Sequence, residues 1–211
     1  MNNHFDIKLV HDNFQFSLNE ENDVLLKEYL DGYEELNKFC NLMGVVFGFV
    51  SKDLRSKMDI LYDFLKDASI SDNYKSTKKM IEYEKNNQLL DKKGFTSGSR
   101  TLLRLHRGLD FLRVFLKSVA ELKDNENTSA VGRAAYDKTL SHHHTFIIRN
   151  GARLAMHTMP TREQLLKKIC GENEEDIKRT VTILPQMLDV TTIVFDRIEN
   201  LYTIHELHTL P

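Results

Sequence analysis

Three prolines and nine glycines in 211 residues leave this chain little punctuation. The many tight turns of a β-sandwich or barrel are poorly served by such a composition, and long helices are favoured. The apolar pattern agrees. Leu25, Leu26, Tyr29, Leu30, Tyr33, Leu36, Phe39 and Cys40 recur at three- and four-residue steps, as on a helix with one buried face. Gly44 then breaks the run. After a short amphipathic stretch at 5–17, the same spacing predicts helices over 46–67, 73–90, 99–123, 129–141, 145–158, 161–169 and 174–205, about eight in all with the 25–40 run. Ser97 or Ser99 can cap the 99–123 helix, and Thr161-Arg162-Glu163-Gln164 fits a capping box. Pro160 is expected to end the 145–158 helix, and Pro185 to kink or divide the last one. The expectation is one all-α domain over 1–211, with no repeat and no low-complexity segment.

Composition narrows the function. Hydrophobic residues make up 41% and charged residues 28%, enough for a core and unlike a disordered or membranous chain. The balance of 29 basic against 31 acidic residues argues against a broad nucleic-acid surface. Cys40 and Cys170 are too few for a disulfide framework, which points to a reducing, cytoplasmic setting. Met1–Asp6 shows no basic segment leading into an apolar run, so no signal peptide is expected. Nothing approaches the 18 or so consecutive apolar residues that span a bilayer.

Three places carry more chemistry than a plain bundle needs. On the 46–67 helix, Val46, Phe49, Val50, Ile60, Leu61 and Phe64 lie along one side, and Asp53 and Lys57, four apart, fall in the same stripe. The plainer reading is a surface ion pair worth a few tenths of a kcal/mol. On the 99–123 helix one face reads Arg100, Arg104, Gly108, Phe111 and Phe115, an apolar stripe with two arginines at one end. Guanidinium forks suit phosphate oxygens, although solvated arginines covering apolar surface with their stems would look the same. Arg107 and Arg113 sit off that line and read as solvated. The third place is His142-His143-His144. Consecutive histidines point in different directions on a helix, so a metal site is disfavoured. A single histidine acting as a hydrogen-bond partner fits better. No nucleophile–base spacing, P-loop or G-x-G-x-x-G is present, and neither an enzyme, a metal nor a cofactor is called for.

These places coincide with a resemblance. Gly44–Lys57, Arg100–Leu109, His144-Thr145-Phe146, Leu154-Ala155-Met156, Met159–Glu163 and the terminal Leu210-Pro211 together resemble the glycolipid transfer protein superfamily, most of all its ceramide-1-phosphate transfer branch. The resemblance implies a two-layer helical sandwich that holds one lipid, chains in an internal apolar pocket and headgroup at the surface. It implies that Asp53 accepts a hydrogen bond from the ceramide amide N–H and that His144 donates to the amide carbonyl. It implies that Lys57, Arg100 and Arg104 bind the headgroup phosphate. The sugar-binding branch has Asn at the position of Lys57 and Trp at that of Arg100, where an indole face stacks on sugar. Arg104 and His144 also keep the forty-residue separation of the phosphate-binding branch.

The three cations and Asp53 leave a net +2 at this site, against roughly −1.5 to −2 on a phosphate monoester. One departure stands out. The family usually has His-Pro-Trp where this chain has His144-Thr145-Phe146; the resemblance implies that Phe146 takes the membrane-docking place of that tryptophan with an apolar ring but no indole N–H, so that membrane affinity is weaker or carried elsewhere. Lys92 and Lys93 would each add about 1 kcal/mol of attraction to an anionic surface, or are simply solvated.

The function expected is non-vesicular transfer of a phosphorylated sphingolipid, ceramide-1-phosphate foremost. The carrier would be a monomer touching membranes transiently, with no nucleic acid and no cofactor. Glycosphingolipid transfer, or a sphingolipid sensor that binds without appreciable transfer, are the alternatives, with an unrelated helical enzyme behind them.

Overall fold

The computed structural model describes residues 4–211, and the side chains of Val45 and Val46 are outside the description. The signal-peptide reading therefore lies partly, and the Val46 reading wholly, outside the described residues. Among these residues there are nine α-helices and two 3-10 turns, and no strand beyond isolated bridges. The helices are α1 (Ile7–Ser17), α2 (Leu26–Leu42), α3 (Val45–Lys66), α4 (Thr77–Asn86), α5 (Gly98–Ala120), α6 (Ser129–Lys138), α7 (Phe146–Met156), α8 (Arg162–Cys170) and α9 (Glu174–Ile204). The 3-10 turns are Ser71–Tyr74 and Leu140–His143. No helix is long and apolar enough to cross a membrane, among the described residues.

Local chemistry sets the boundaries. Gly44, at φ 105°, separates α2 from α3, and Gly171, at φ 83°, follows α8; both occupy the left-handed region where a Cβ is strained. Ser97 Oγ accepts from the Arg100 N–H at 3.1 Å to cap α5. Thr161 and Gln164 complete the capping box of α8. Each such cap contributes about 1 kcal/mol. The chain departs from expectation near its prolines. α7 closes at Met156, four residues ahead of Pro160, whose carbonyl instead accepts from Thr128. α9 runs undivided through Pro185. Val181 and Pro185 are exposed, so the carbonyl that loses its N–H donor at that proline faces water.

The helices form a two-layer sandwich. α1 packs on α2 and α9, α2 on α3, and α5 touches α3, α4, α6 and α9. Gly32 lies inside α2, where alanine would give about 1 kcal/mol more helix propensity. A Cβ there would sit 2.5 Å from Cε1 of Phe14, whose buried ring stacks on Tyr29. The glycine is the condition for α1 and α2 to approach this closely.

α5 is held by buried polar groups as well as by packing. Glu84, on α4, is fully buried. Its carboxylate accepts from Ser97 Oγ at 2.6 Å, the Gly98 N–H at 2.6 Å, the Ser99 N–H at 3.0 Å and Tyr74 OH at 3.1 Å. A negative charge thus meets the positive end of α5 with its lone pairs satisfied. From α2, Tyr33 OH donates to the Leu105 carbonyl at 2.5 Å, and from α9, Tyr202 OH donates to the Ser99 carbonyl at 2.6 Å.

Candidate functional site

Beside this frame α2, α3, α5, α6 and α7 enclose a cavity of about 490 Å³, in the range of small-molecule sites. Its walls include Phe47, Leu54, Phe111, Phe115 and Met156, and only Cys40, Tyr136 and His144 bring a polar atom. Burial pushes the Cys40 thiol up to about 12, so that group stays neutral. Such a chamber offers hydrocarbon contact and no site for a charge.

The charges stand at its rim. On α3 the cavity takes Phe47, Phe49, Val50 and Leu54, and on α5 it takes Gly108, Phe111, Leu112 and Phe115. The two helices therefore pass it in opposite directions. Asp53 lies between the wall residues Val50 and Leu54 of α3, with Lys57 one turn further on; on α5, Arg104 and Arg100 lie one and two turns before Gly108. Lys57 donates to Asp53; the lysine side chain is 14% exposed and the aspartate 65%. Lys57 is thus more than the surface partner of an ordinary i,i+4 pair. Arg100 Nε and Arg104 Nη2 both reach the Pro211 main-chain oxygen, at 3.4 and 3.1 Å. Two guanidinium groups four residues apart on one face converge on a single acceptor oxygen.

His144 is the one histidine of its run that reaches the cavity. His142 and His143 are exposed. Nδ1 of His144 lies 2.8 Å from Tyr136 OH. Burial holds its imidazole below the ordinary histidine value, with the Asp53 carboxylate pulling the other way. Burial thus favours the uncharged ring, against the pull of Asp53. Among the described residues no three His, Cys, Asp or Glu side chains gather in a way suited to a metal ion.

Several sequence readings need correction. Phe49 and Val50 are not core residues: they are 76% and 44% exposed and form the cavity's outer lip. The buried face of α3 is Phe47, Leu54, Met58 and Leu61, with Phe64 packed against the core; Leu61 and Phe64 belong to the expected stripe, and the rest of the face is offset from it. Arg107 and Arg113 are not simply solvated. Arg107 donates to the His208 carbonyl at 2.7 Å. Arg113 lies 4.5 Å over the Phe195 ring and pairs with Asp110. Phe146 is 69% exposed, and Ile147 and Leu154 of the same helix are 82% and 71% exposed. α7 thus turns three large apolar side chains to the outside while Ile148, Gly151, Ala152 and Ala155 line the cavity. Lys92 and Lys93 are exposed on their loop. Tyr136 and Glu84 also escaped the sequence reading, because no spacing rule reports the partner of a buried hydroxyl or carboxylate.

Comparison with known proteins agrees with this architecture. The zebrafish (Danio rerio) ceramide-1-phosphate transfer protein is 36% identical over 211 residues, covering 98% of each chain. The human protein of that name is 33% identical, covering 98% of this chain and 97% of its own. Among solved structures, the mouse ceramide-1-phosphate transfer protein in its apo form superposes with a TM-score of 0.90 at 34% identity, covering 98% of this chain and all of its own. The human protein in complex with 12:0 ceramide-1-phosphate gives 0.87 at 32%, again over 98% of this chain and all of its own. The family profile described as Glycolipid transfer protein (GLTP) matches residues 24–171, the stretch that supplies the cavity walls, Asp53, Lys57, both rim arginines and His144. By fold and by sequence, this chain belongs to the glycolipid transfer protein family.

Proposed function

We propose that this protein carries a phosphorylated sphingolipid, ceramide-1-phosphate foremost, between membranes without making or breaking a bond. What supports the reading is a hydrocarbon-lined cavity that His144 reaches, with Asp53 and Lys57 on α3 and Arg100 and Arg104 on α5 close to its wall residues along each helix. Lys57, Arg100 and Arg104 take the phosphate, and Asp53 and His144 take the amide. Asp53 accepts the amide N–H and His144 donates to the carbonyl, a pairing that a glycerol ester, lacking the N–H, satisfies only in half. Where the sugar-binding branch stacks an indole on its ligand, this rim offers charge, which favours phosphate over galactose.

The cavity removes the main barrier to crossing water. Each exposed methylene costs about 0.8 kcal/mol, and a ceramide carries a few tens of them. The bilayer is itself an apolar solvent, so chain burial governs rate while rim contacts govern selection. Phe146, with Phe49, Ile147 and Leu154, inserts into the membrane surface during exchange. The carrier works as a monomer in the cytoplasm, peripheral to the bilayers it serves.

The test is vesicle-to-vesicle transfer of fluorescent ceramide-1-phosphate by the purified chain, with galactosylceramide and phosphatidic acid as competitors. Fast transfer blocked by unlabelled ceramide-1-phosphate alone is the expected result. Preferential transfer of galactosylceramide would keep the fold and overturn the phosphate assignment. Tight binding with no transfer would replace the carrier by a sensor.

A further inference from the structure

We infer that Tyr136 is a positioning residue for the amide site: its hydroxyl donates to Nδ1 of His144 and thereby fixes the imidazole as the form that carries its proton on Nε2. The ligand in this inference is the one proposed above, whereas the hydrogen bond is a property of the protein itself.

The need for such a device follows from the two groups at the rim. An ionised Asp53 only accepts hydrogen bonds, so recognition of a complete amide requires His144 to donate. A neutral imidazole has one donor and one acceptor, and the bond made by one nitrogen decides what the other does. Here Nδ1 is engaged by Tyr136 OH at 2.8 Å, which leaves Nε2 as the nitrogen open to a ligand. If Nδ1 held the proton, Nε2 would be an acceptor and would compete with Asp53 for the same amide N–H. The carbonyl would then have no donor.

The tyrosine is well placed to decide between these forms. Its side chain is 1% exposed, it sits on α6, and its ring meets Phe111 edge-on at 6.5 Å. Among the described residues its hydroxyl has no other hydrogen-bond partner. A phenol proton against a hydrocarbon wall needs an acceptor, and the lone pair of Nδ1 is the acceptor within reach. His144 itself lies past the end of a 3-10 turn in extended backbone, with only a long 3.4 Å main-chain bond to Ser141. Its ring is oriented by a helix-borne hydroxyl rather than by its own segment.

The deciding experiment uses the full chain with nitrogen-15-labelled histidine, free of lipid, near pH 7.5. Long-range proton–nitrogen spectra of the wild type should place the His144 proton on Nε2, with Nδ1 at the shift of a hydrogen-bonded lone pair. Tyr136→Phe keeps the cavity wall and removes only the oxygen. In that variant the Nδ1 resonance should move toward a free lone pair or split between two tautomers, with cooperative melting retained. Its transfer of ceramide-1-phosphate should fall about threefold to tenfold, the loss expected from one modest hydrogen bond. A proton on Nδ1 in the wild type would overturn the inference, and that spectrum needs no variant to fold. Unchanged His144 resonances in Tyr136→Phe, or full transfer despite a changed tautomer, would overturn it too. A wild type that carries no ceramide lipid yet shows the Nε2–H form would refute the carrier reading alone, because the spectra judge the hydrogen bond independently.

Discussion

Replacing Arg100 by leucine separates the phosphate site from the rest of the molecule. Arg100 is half-buried in the first turn of α5, and its Nε already holds an oxygen acceptor at 3.4 Å. Leucine is an equally good helix former and keeps most of the apolar cover of the arginine stem. Since the helix end is fixed by Glu84, folding stability should change by no more than about 0.5 kcal/mol. The headgroup loses one charge-assisted hydrogen bond, worth about 1.5–3 kcal/mol net. At about 1.4 kcal/mol per decade, affinity for a phosphate monoester should drop roughly 10- to 150-fold. Arg104 is exposed and better screened, so Arg104→Leu should lie at the low end, about tenfold. The rim falls from +2 to +1 in either variant, and binding should become less sensitive to salt. The assay is fluorescent ceramide-1-phosphate transfer between vesicles, paired with a urea melt of each variant. Transfer by Arg100→Leu within about twofold of wild type, with the fold intact, would refute the assignment. An equal loss on galactosylceramide would refute it as well, because the defect would then not be one of phosphate recognition.

Other outcomes follow from other parts of the structure. Asp53→Val removes the acceptor for an amide N–H, so discrimination between ceramide-1-phosphate and phosphatidic acid should shrink in a competition assay; unchanged discrimination would exclude Asp53 from the amide site. Ile147→Glu on the exposed face of α7 should lower co-sedimentation with vesicles while leaving the melt unchanged, and undiminished sedimentation would remove that helix from the docking surface. Gly32→Ala should cost about 1–3 kcal/mol by overpacking against the buried Phe14 ring, read as a lower urea midpoint; a gain would mean that α1 retreats freely. Burial holds His106, His144 and His205 below the ordinary histidine value. The unfolded chain therefore takes up protons first as pH falls through about 6.5. The urea midpoint should accordingly decline between about pH 7.5 and 5, and a flat or rising midpoint would contradict those environments.

Most helix positions were legible because periodicity, caps and glycine breaks are local. Gly44, Ser97 and the Thr161 capping box did what their residue types dictate. Pro185 misled, since whether a proline divides a helix depends on what its freed carbonyl faces, and here that is solvent. On α3, the stripe through Asp53 and Lys57 was real, yet Phe49 and Val50 belonged to a lip rather than a core. A helical repeat gives the direction of a side chain and not what stands opposite it. The rim residues became readable through family resemblance. Arg107, Arg113, Tyr136 and Glu84 acquire their roles from His208, Phe195, His144 and Ser97, 8 to 101 residues away along the chain, pairings that helical spacing cannot announce.

The two tyrosine hydroxyls bonded to α5 have a mechanical consequence. A helix gripped only by hydrocarbon ridges can slip one groove or roll by a fraction of a turn at small cost, since one aliphatic contact replaces another. Tyr33 and Tyr202 seize carbonyls six residues apart, about 9 Å along the axis, and they do so from two different neighbouring helices. That turns α5 into a keyed shaft. Rolling it by a single residue would put Thr101 and Leu105 where Arg100 and Arg104 now stand and would unseat both keys at once. Whatever the chamber holds, Arg100 and Arg104 stay indexed to the frame through these two bonds.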